Sequence, residues 1–270
     1  MKDIHFFSFA MAATLGAGCA LFPSGPAAAP KPEQMTAEIS AVLETIVQTP
    51  QVRGIYMIPA DRPGKLPGVL VIHEWWGLND QIKDEARSLA AEGYAVFAID
   101  LYNGEVAADA VRAGELAGAV RNRPEAAERA MGAALDYLAA QPEVQGDRLA
   151  SLGWCFGGGM SGIIGSAGDP RLRATVMYYG TPVTDAARLE KFKQPVLGIW
   201  GVEDQSIPVA SVQSFESTLR RQGTSVDFFY YEGAGHAFAN PTRGDAYRPD
   251  AASDAWQKTL DFLELHLRRD

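Results

Sequence analysis

The sequence predicts an α/β protein with a mostly parallel sheet, helices on both of its faces and a single domain. Three observations predict it. Uninterrupted apolar runs such as Val69–Ile72 and Ala95–Ile99 read as strands buried on both sides. Those runs alternate with amphipathic or alanine-rich helical stretches, the rhythm of a parallel sheet. The chain of 270 residues shows no internal repeat and no second boundary after residue 50. A core of that size buries roughly 70–75% of the unfolded surface, so it needs no covalent staples.

The elements follow in order. Residues 1–29 read as a signal peptide: Lys2 is a small positive start, residues 6–22 are apolar or small, and Ala27-Ala28-Ala29 offers a cleavage site. Leu15-Gly16-Ala17-Gly18-Cys19 resembles a lipoprotein processing site with its leucine one position too distant, so lipidation at Cys19 stands as the alternative, and with it the one route to a membrane. Either reading makes the protein periplasmic or secreted. Residues 30–50 are a tether with a short amphipathic helix within 36–49, carried by Ile39, Val42, Leu43, Ile46 and Val47. The domain proper is expected over 51–270. It opens with a strand at 54–59 and a turn at Asp61-Arg62-Pro63-Gly64. Strands are then expected at 69–73, 95–99, 147–152, 175–179, 196–200 and 226–231. Helices fill 79–91, 108–120, 124–140, 208–222 and 250–267, with Gly93 stopping the first.

The residues with chemistry cluster where sites in such sheets lie, just past the carboxyl ends of strands. Gly153-Trp154-Cys155-Phe156-Gly157 is the nucleophile-elbow pattern G-x-S-x-G with cysteine for serine. Gly153 and Gly157 let strand and helix approach around a strained turn. The sulfur then sits beside a helix N-terminus, whose free N–H groups favour a thiolate and can bind an oxyanion. After the strand at 196–200 comes Asp204, placed to accept from an imidazole, with Glu203 as local competitor. After the strand at 226–231 comes His236 in a glycine-rich loop. The chain has four histidines. His5 lies in the leader, His266 in the closing helix, and His73 ends a strand as a candidate pocket residue. His236 alone has the chain position of the base, in the order nucleophile, acid, histidine. The oxyanion donors are expected to be Phe156 N–H and, from the loop after 69–73, Trp75 N–H.

These motifs, together with His73-Glu74-Trp75-Trp76-Gly77 and Gly235-His236-Ala237-Phe238, resemble the dienelactone hydrolase family of the α/β-hydrolase fold from about residue 50 to the C-terminus. The resemblance implies a hydrolase of small esters or lactones working through Cys155, His236 and Asp204, without metal or organic cofactor. It also implies that Glu74 touches the resting cysteine and is displaced when substrate arrives. Dienelactone-cleaving members hold the substrate carboxylate with two arginines, one after the D-L-Y sequence and one after the histidine motif. Here those places hold Asn103 and Asn240, which cannot supply a cationic fork; Arg243 and Arg248 are the nearby candidates to replace them. Trp75, Trp76, Tyr102, Phe156 and Phe238 suggest an aromatic pocket.

Other classes fit less well. The net charge of -9, without a dense Lys/Arg run, argues against nucleic acid. Removal of residues 1–29 would leave Cys155 as the only cysteine, which excludes an internal disulfide and deprives a redox sensor of its resolving thiol. The remaining alternatives are a carboxylesterase for larger esters, which needs a wide groove, and a non-catalytic binding protein, which needs a triad that fails to assemble. A monomer is expected.

Overall fold

The computed structural model describes residues 42–61 and 64–269. The expected leader, Cys19, the Ala/Pro tether, the first part of the 36–49 helix and the Arg62-Pro63 turn lie outside the described residues. Among the described residues eight strands form one sheet in the order β1-β2-β4-β3-β5-β6-β7-β8. They are β1 (Val42–Gln48), β2 (Arg53–Pro59), β3 (Leu66–Ile72), β4 (Ala95–Ile99), β5 (Val144–Trp154), β6 (Leu172–Tyr178), β7 (Val196–Gly201) and β8 (Val226–Tyr231). From β4 to β8 every pairing is parallel, whereas β1 and β2 are antiparallel.

Seven α-helices accompany the sheet among the described residues: α1 (Asp80–Ala91), α2 (Ala110–Arg121), α3 (Pro124–Ala140), α4 (Phe156–Gly165), α5 (Ala186–Leu189), α6 (Val209–Arg221) and α7 (Pro249–Leu267). A 3-10 segment follows the histidine loop at Pro241–Ala246. The local signals explain the boundaries. Asn79 caps α1 by accepting from Ile82 N–H at 3.1 Å, and Gly93 beyond its end has φ +91. Proline opens both α3 and α7, where its missing N–H costs nothing. None of the described helices is long and apolar enough to cross a membrane.

The period-two alternation of a strand divides the core in two. Val69 and Val71 of β3 face one cluster with Ile82 and Leu89 of α1 and Phe262 and Leu263 of α7. Leu70 and Ile72 face the other, with Met131, Leu135 and Leu138 of α3. All four β3 side chains are fully buried, which is why that strand reads as a continuous apolar run.

One expectation is overturned. The described part of the 36–49 segment is not a helix but β1, paired along its whole length with β2. Its apolar spacing satisfies a helical template, yet Val42, Thr45, Ile46 and Val47 are β-branched, and the edge of β2 offers a ladder that a short exposed helix could not match. Arg87 of α1 fixes the added strand by hydrogen bonds to Glu44. Among the described residues the sheet therefore begins at Val42, ahead of the boundary expected at residue 51.

Candidate active site

Every residue singled out for chemistry stands at the carboxyl edge of this sheet. Glu74 and Trp75 follow β3, Tyr102 follows β4, Cys155 follows β5, Tyr179 follows β6, Asp204 follows β7 and His236 follows β8. The elbow is built by steric exclusion. Cys155 has φ +55 and ψ −117, a backbone conformation costing a non-glycine residue about 1–3 kcal/mol. The turn closes because a Cβ on Gly153 would lie 2.2 Å from Gly157 O, and one on Gly157 would lie 2.2 Å from Ile72 O and 2.5 Å from His73 O. Helix α4 thus starts hard against the end of β3. Its N-terminus and the Glu74-Trp75 loop flank the sulfur together.

The three expected groups meet. His236 Nε2 lies 3.1 Å from Cys155 Sγ, and His236 Nδ1 lies 2.7 Å from Asp204 Oδ2. The other Asp204 oxygen accepts from Ser206 N–H at 2.7 Å and Ile207 N–H at 2.9 Å, which fixes the carboxylate toward the ring. Glu203 makes no such contact with His236. Burial pushes Asp204 upward, but the hydrogen bond and charge of His236 and the two backbone donors outweigh it, holding the carboxyl below its ordinary range. Burial likewise disfavours a charged His236. The hydrogen bonds to Asp204 and Cys155 and their charges overcome that and raise the ring from 6.5 to about 10. Such a ring readily holds a proton taken from sulfur.

Glu74 is nearly buried, at 2% exposure. Its Oε2 accepts from Asn240 Nδ2 at 2.8 Å and its Oε1 from Tyr179 Oη at 3.3 Å. Burial raises its pKa, against Asn240, His236, Tyr179 and the charge of Arg243. The contact of Glu74 with the resting cysteine that the resemblance implies is not what is found: the sulfur is paired with His236 while Asn240 and Tyr179 occupy the carboxylate. Asn240 is therefore no vacant clamp position but the latch of Glu74, itself held by its Oδ1, which accepts from Thr242 N–H and Oγ1.

The pocket residues separate on inspection. Tyr102 and Phe156 are buried side by side, with Trp75 and Cys155 packed against them. Trp75 and Trp76 are half-buried and meet edge to face at 5.0 Å. Phe238, expected in the pocket, is fully buried between Tyr179 and Tyr231 and backs the histidine loop. Asn103 is exposed on a turn with φ +56, followed by Gly104 at φ +93, a pair of left-handed residues that an arginine would strain. Arg248 is committed to the carbonyls of Gly233, Asp245 and Tyr247, so it does not reach in.

One contributor escaped the sequence reading, and one candidate pocket residue, His73, has another place. Tyr179 follows β6 without any motif, and its ring lies edge-on to His236 at 5.3 Å. His73 is fully buried; Leu101 N–H donates to its Nε2 at 3.2 Å, which puts the proton on Nδ1 facing Glu74 O at 2.5 Å. Burial keeps this ring neutral, down to about 4. It ties the Glu74 loop to the Asp100-Leu101-Tyr102 turn. A separate cavity of ≈ 220 Å³ lined by Arg53, Lys83, Asp100 and Glu105 contains none of the three reactive groups. No cluster of metal-ligating side chains occurs among the described residues.

Comparison with known proteins agrees with this architecture. The model of the dienelactone hydrolase family matches residues 52–267. A Bradyrhizobium sp protein named "Probable 2-oxo-3-(5-oxofuran-2-ylidene)propanoate lactonase" is 34% identical over 215 residues, 76% of this chain and 86% of that one. The solved structure "m3DLH" superposes with a TM-score of 0.79 at 28% identity, covering 84% of this chain and 99% of that one. A dienelactone hydrolase-like promiscuous phosphotriesterase from metagenomic libraries gives 0.76 at 27% identity, over 83% and 98%. With the elbow, the carboxyl-edge constellation and a family match over most of its length, the chain belongs to the dienelactone hydrolase family and is a hydrolase of that ester- and lactone-cleaving group.

Proposed function

We propose that the protein hydrolyses small esters or lactones through a thioester on Cys155. The unbroken series sulfur, imidazole, carboxylate at 3.1 and 2.7 Å carries this reading. His236 Nε2 takes the thiol proton and the thiolate attacks the carbonyl carbon. The oxyanion accepts from Phe156 N–H, at the start of α4, and from Trp75 N–H. Collapse breaks the carbon–oxygen bond, and His236 returns its proton to the leaving oxygen, which stays tethered to the acyl group when the substrate is a lactone. Water then attacks the thioester with His236 as base, releasing the acid and restoring the thiol. Asp204 keeps the ring oriented and stabilises its cation throughout.

Glu74, latched away by Asn240 and Tyr179, leaves the sulfur to His236; a carboxylate swung toward the thiol would hold it protonated. The lactonase name of the Bradyrhizobium relative supports a lactone among the substrates. The apolar and aromatic surroundings of Cys155 support a small acyl group. The test is hydrolysis of a panel of short-chain aryl esters and lactones by the wild type and Cys155→Ala. Loss of turnover by more than a thousandfold is expected, and equal rates would end the reading. Export rests on residues 1–29, and the N-terminal sequence of the mature protein from fractionated cells tests it: a start at Pro30 or a lipidated Cys19 is expected, and an intact Met1 in the cytoplasm would contradict it.

A further inference from the structure

The cavity of ≈ 220 Å³ noted above lies between β1, β2, the start of α1 and the turn that follows β4. It is remote from the chemistry. In the strand order β1-β2-β4-β3-β5, β2 stands three places from the strand that ends at Cys155, about 14 Å at about 4.8 Å per strand. One side of its lining is apolar, made by Ile46, Leu78 and Val106. Ile46 is 74% exposed and Val106 48%, yet both turn to the same hollow as the buried Leu78. Apolar side chains scattered singly over a surface need no reason, whereas three that converge on one cavity form a patch.

The other side is charged, and its charges are unequally spent. Asp100 accepts from Arg53 Nε at 2.8 Å and from Tyr102 N–H at 2.9 Å. Both oxygens of Glu105 accept from Arg112, at 2.5 and 2.8 Å. The two carboxylates are thus neutralised in place. The two cations keep donors to spare. A guanidinium has five N–H groups. Arg53 gives one to Asp100 and one from each terminal nitrogen to the Gln48 amide oxygen, at 2.9 and 3.2 Å with that oxygen turned to it. Two N–H groups remain. Among the described residues Lys83 Nζ meets only the exposed Asp80, at 2.9 Å, a surface pair easily exchanged for another. Arg53 is also held in position. Asp100 N–H donates to its carbonyl at 2.8 Å, and a Cβ on Gly104 would lie 2.7 Å from its Nη2, so the turn closes directly over the guanidinium.

We infer that this cavity is a second binding site, separate from the reacting centre, for a small amphipathic anion: a carboxylate head on Arg53 and Lys83, with a short alkyl chain across Ile46, Leu78 and Val106. The planar head suits the two remaining guanidinium N–H groups, and Lys83 adds a movable point charge. The volume equals that of about seven waters at about 30 Å³ each, which suits a ligand of about that many heavy atoms, such as hexanoate. The ligand is bound and not turned over, because Cys155, Asp204 and His236 are absent from the lining. The inference therefore stands independently of the thioester reading.

The test is calorimetric titration of hexanoate into the wild type before and after Cys155 is blocked with iodoacetamide, which separates this site from the reacting centre. The same affinity is expected in both. Arg53→Gln should weaken binding about tenfold, through loss of the charge and the paired donors. Ile46→Glu sets a like charge at an exposed rim position, where the fold has little at stake, and should weaken it about fivefold. Butyrate, two methylenes shorter, should bind about tenfold more weakly, and hexan-1-ol, with the chain but no charge, about tenfold more weakly as well. No binding in the wild type, loss of binding when Cys155 is blocked, or an unchanged affinity in either Arg53→Gln or Ile46→Glu overturns the inference.

Discussion

Replacing Asp204 by Asn isolates what the carboxylate does for the base. The substitution is nearly isosteric, and the amide oxygen can still accept from Ser206 and Ile207 N–H. The amide nitrogen then faces His236 Nδ1 at about the present 2.7 Å and donates to it. The ring proton is driven to Nε2, where it points at Cys155 Sγ and the base is lost. The charge is lost as well. Raising His236 from 6.5 to about 10 corresponds to roughly 5 kcal/mol of preference for the cation, shared between Asp204 and the sulfur. A half share plus the wrong tautomer gives an expected loss of about 10³–10⁴ in kcat/KM on a short-chain aryl ester. The pH profile supplies the second readout. With Asp204 gone, burial is the largest influence left on His236, so its titration should move down by several units. Alkylation of Cys155 by iodoacetamide at pH 7 should slow in parallel, with circular dichroism unchanged. A loss below tenfold, with the ring still titrating near 10, would refute the role given to Asp204.

Three further outcomes follow from the same geometry. Asn240→Ala removes the donor to Glu74 Oε2 inside the fold, at an expected cost of about 1–3 kcal/mol by urea unfolding. Glu74 already sits above its ordinary pKa, so it favours the fold when protonated and that stability is lost as pH rises through the folded value; the variant's deficit should be larger at pH 8 than at pH 5, and a deficit independent of pH would count against the latch. His73, held neutral down to about 4, stabilises the fold above pH 6.5, and this is lost as pH falls toward 4; up to roughly 3 kcal/mol of acid sensitivity should disappear in His73→Gln, measured as the difference in unfolding free energy between pH 7 and pH 4. An identical decline in both proteins would show that another group controls it. Gly157→Ala improves helix propensity yet drives a Cβ into Ile72 O and His73 O, so the melting temperature should fall by several degrees at about 2–4 °C per kcal/mol, with esterase activity lost; a stabilised, active variant would mean that α4 does not abut β3.

The sequence by itself determined the elements whose signals are local. Buried strands such as β3 show as apolar runs because both faces need burial, and Gly153 and Gly157 mark the elbow because only a missing Cβ lets α4 touch β3. The positions of Cys155, Asp204 and His236 were legible too, since each follows a strand and parallel strands bring their ends to one edge. Tertiary structure decided the rest. Whether Val42–Gln48 is helix or strand depended on a partner, the open edge of β2, that periodicity cannot see. Phe238 and Tyr102 look alike as aromatic residues near motifs, but packing seals one between Tyr179 and Tyr231 and leaves the other's hydroxyl unpartnered beside the sulfur. The grip of Asn240 and Tyr179 on Glu74 joins residues 166 and 105 positions away from it. A hydrogen bond between such distant residues exists only where the folded backbone holds both groups within 3.5 Å, and no local pattern encodes that distance.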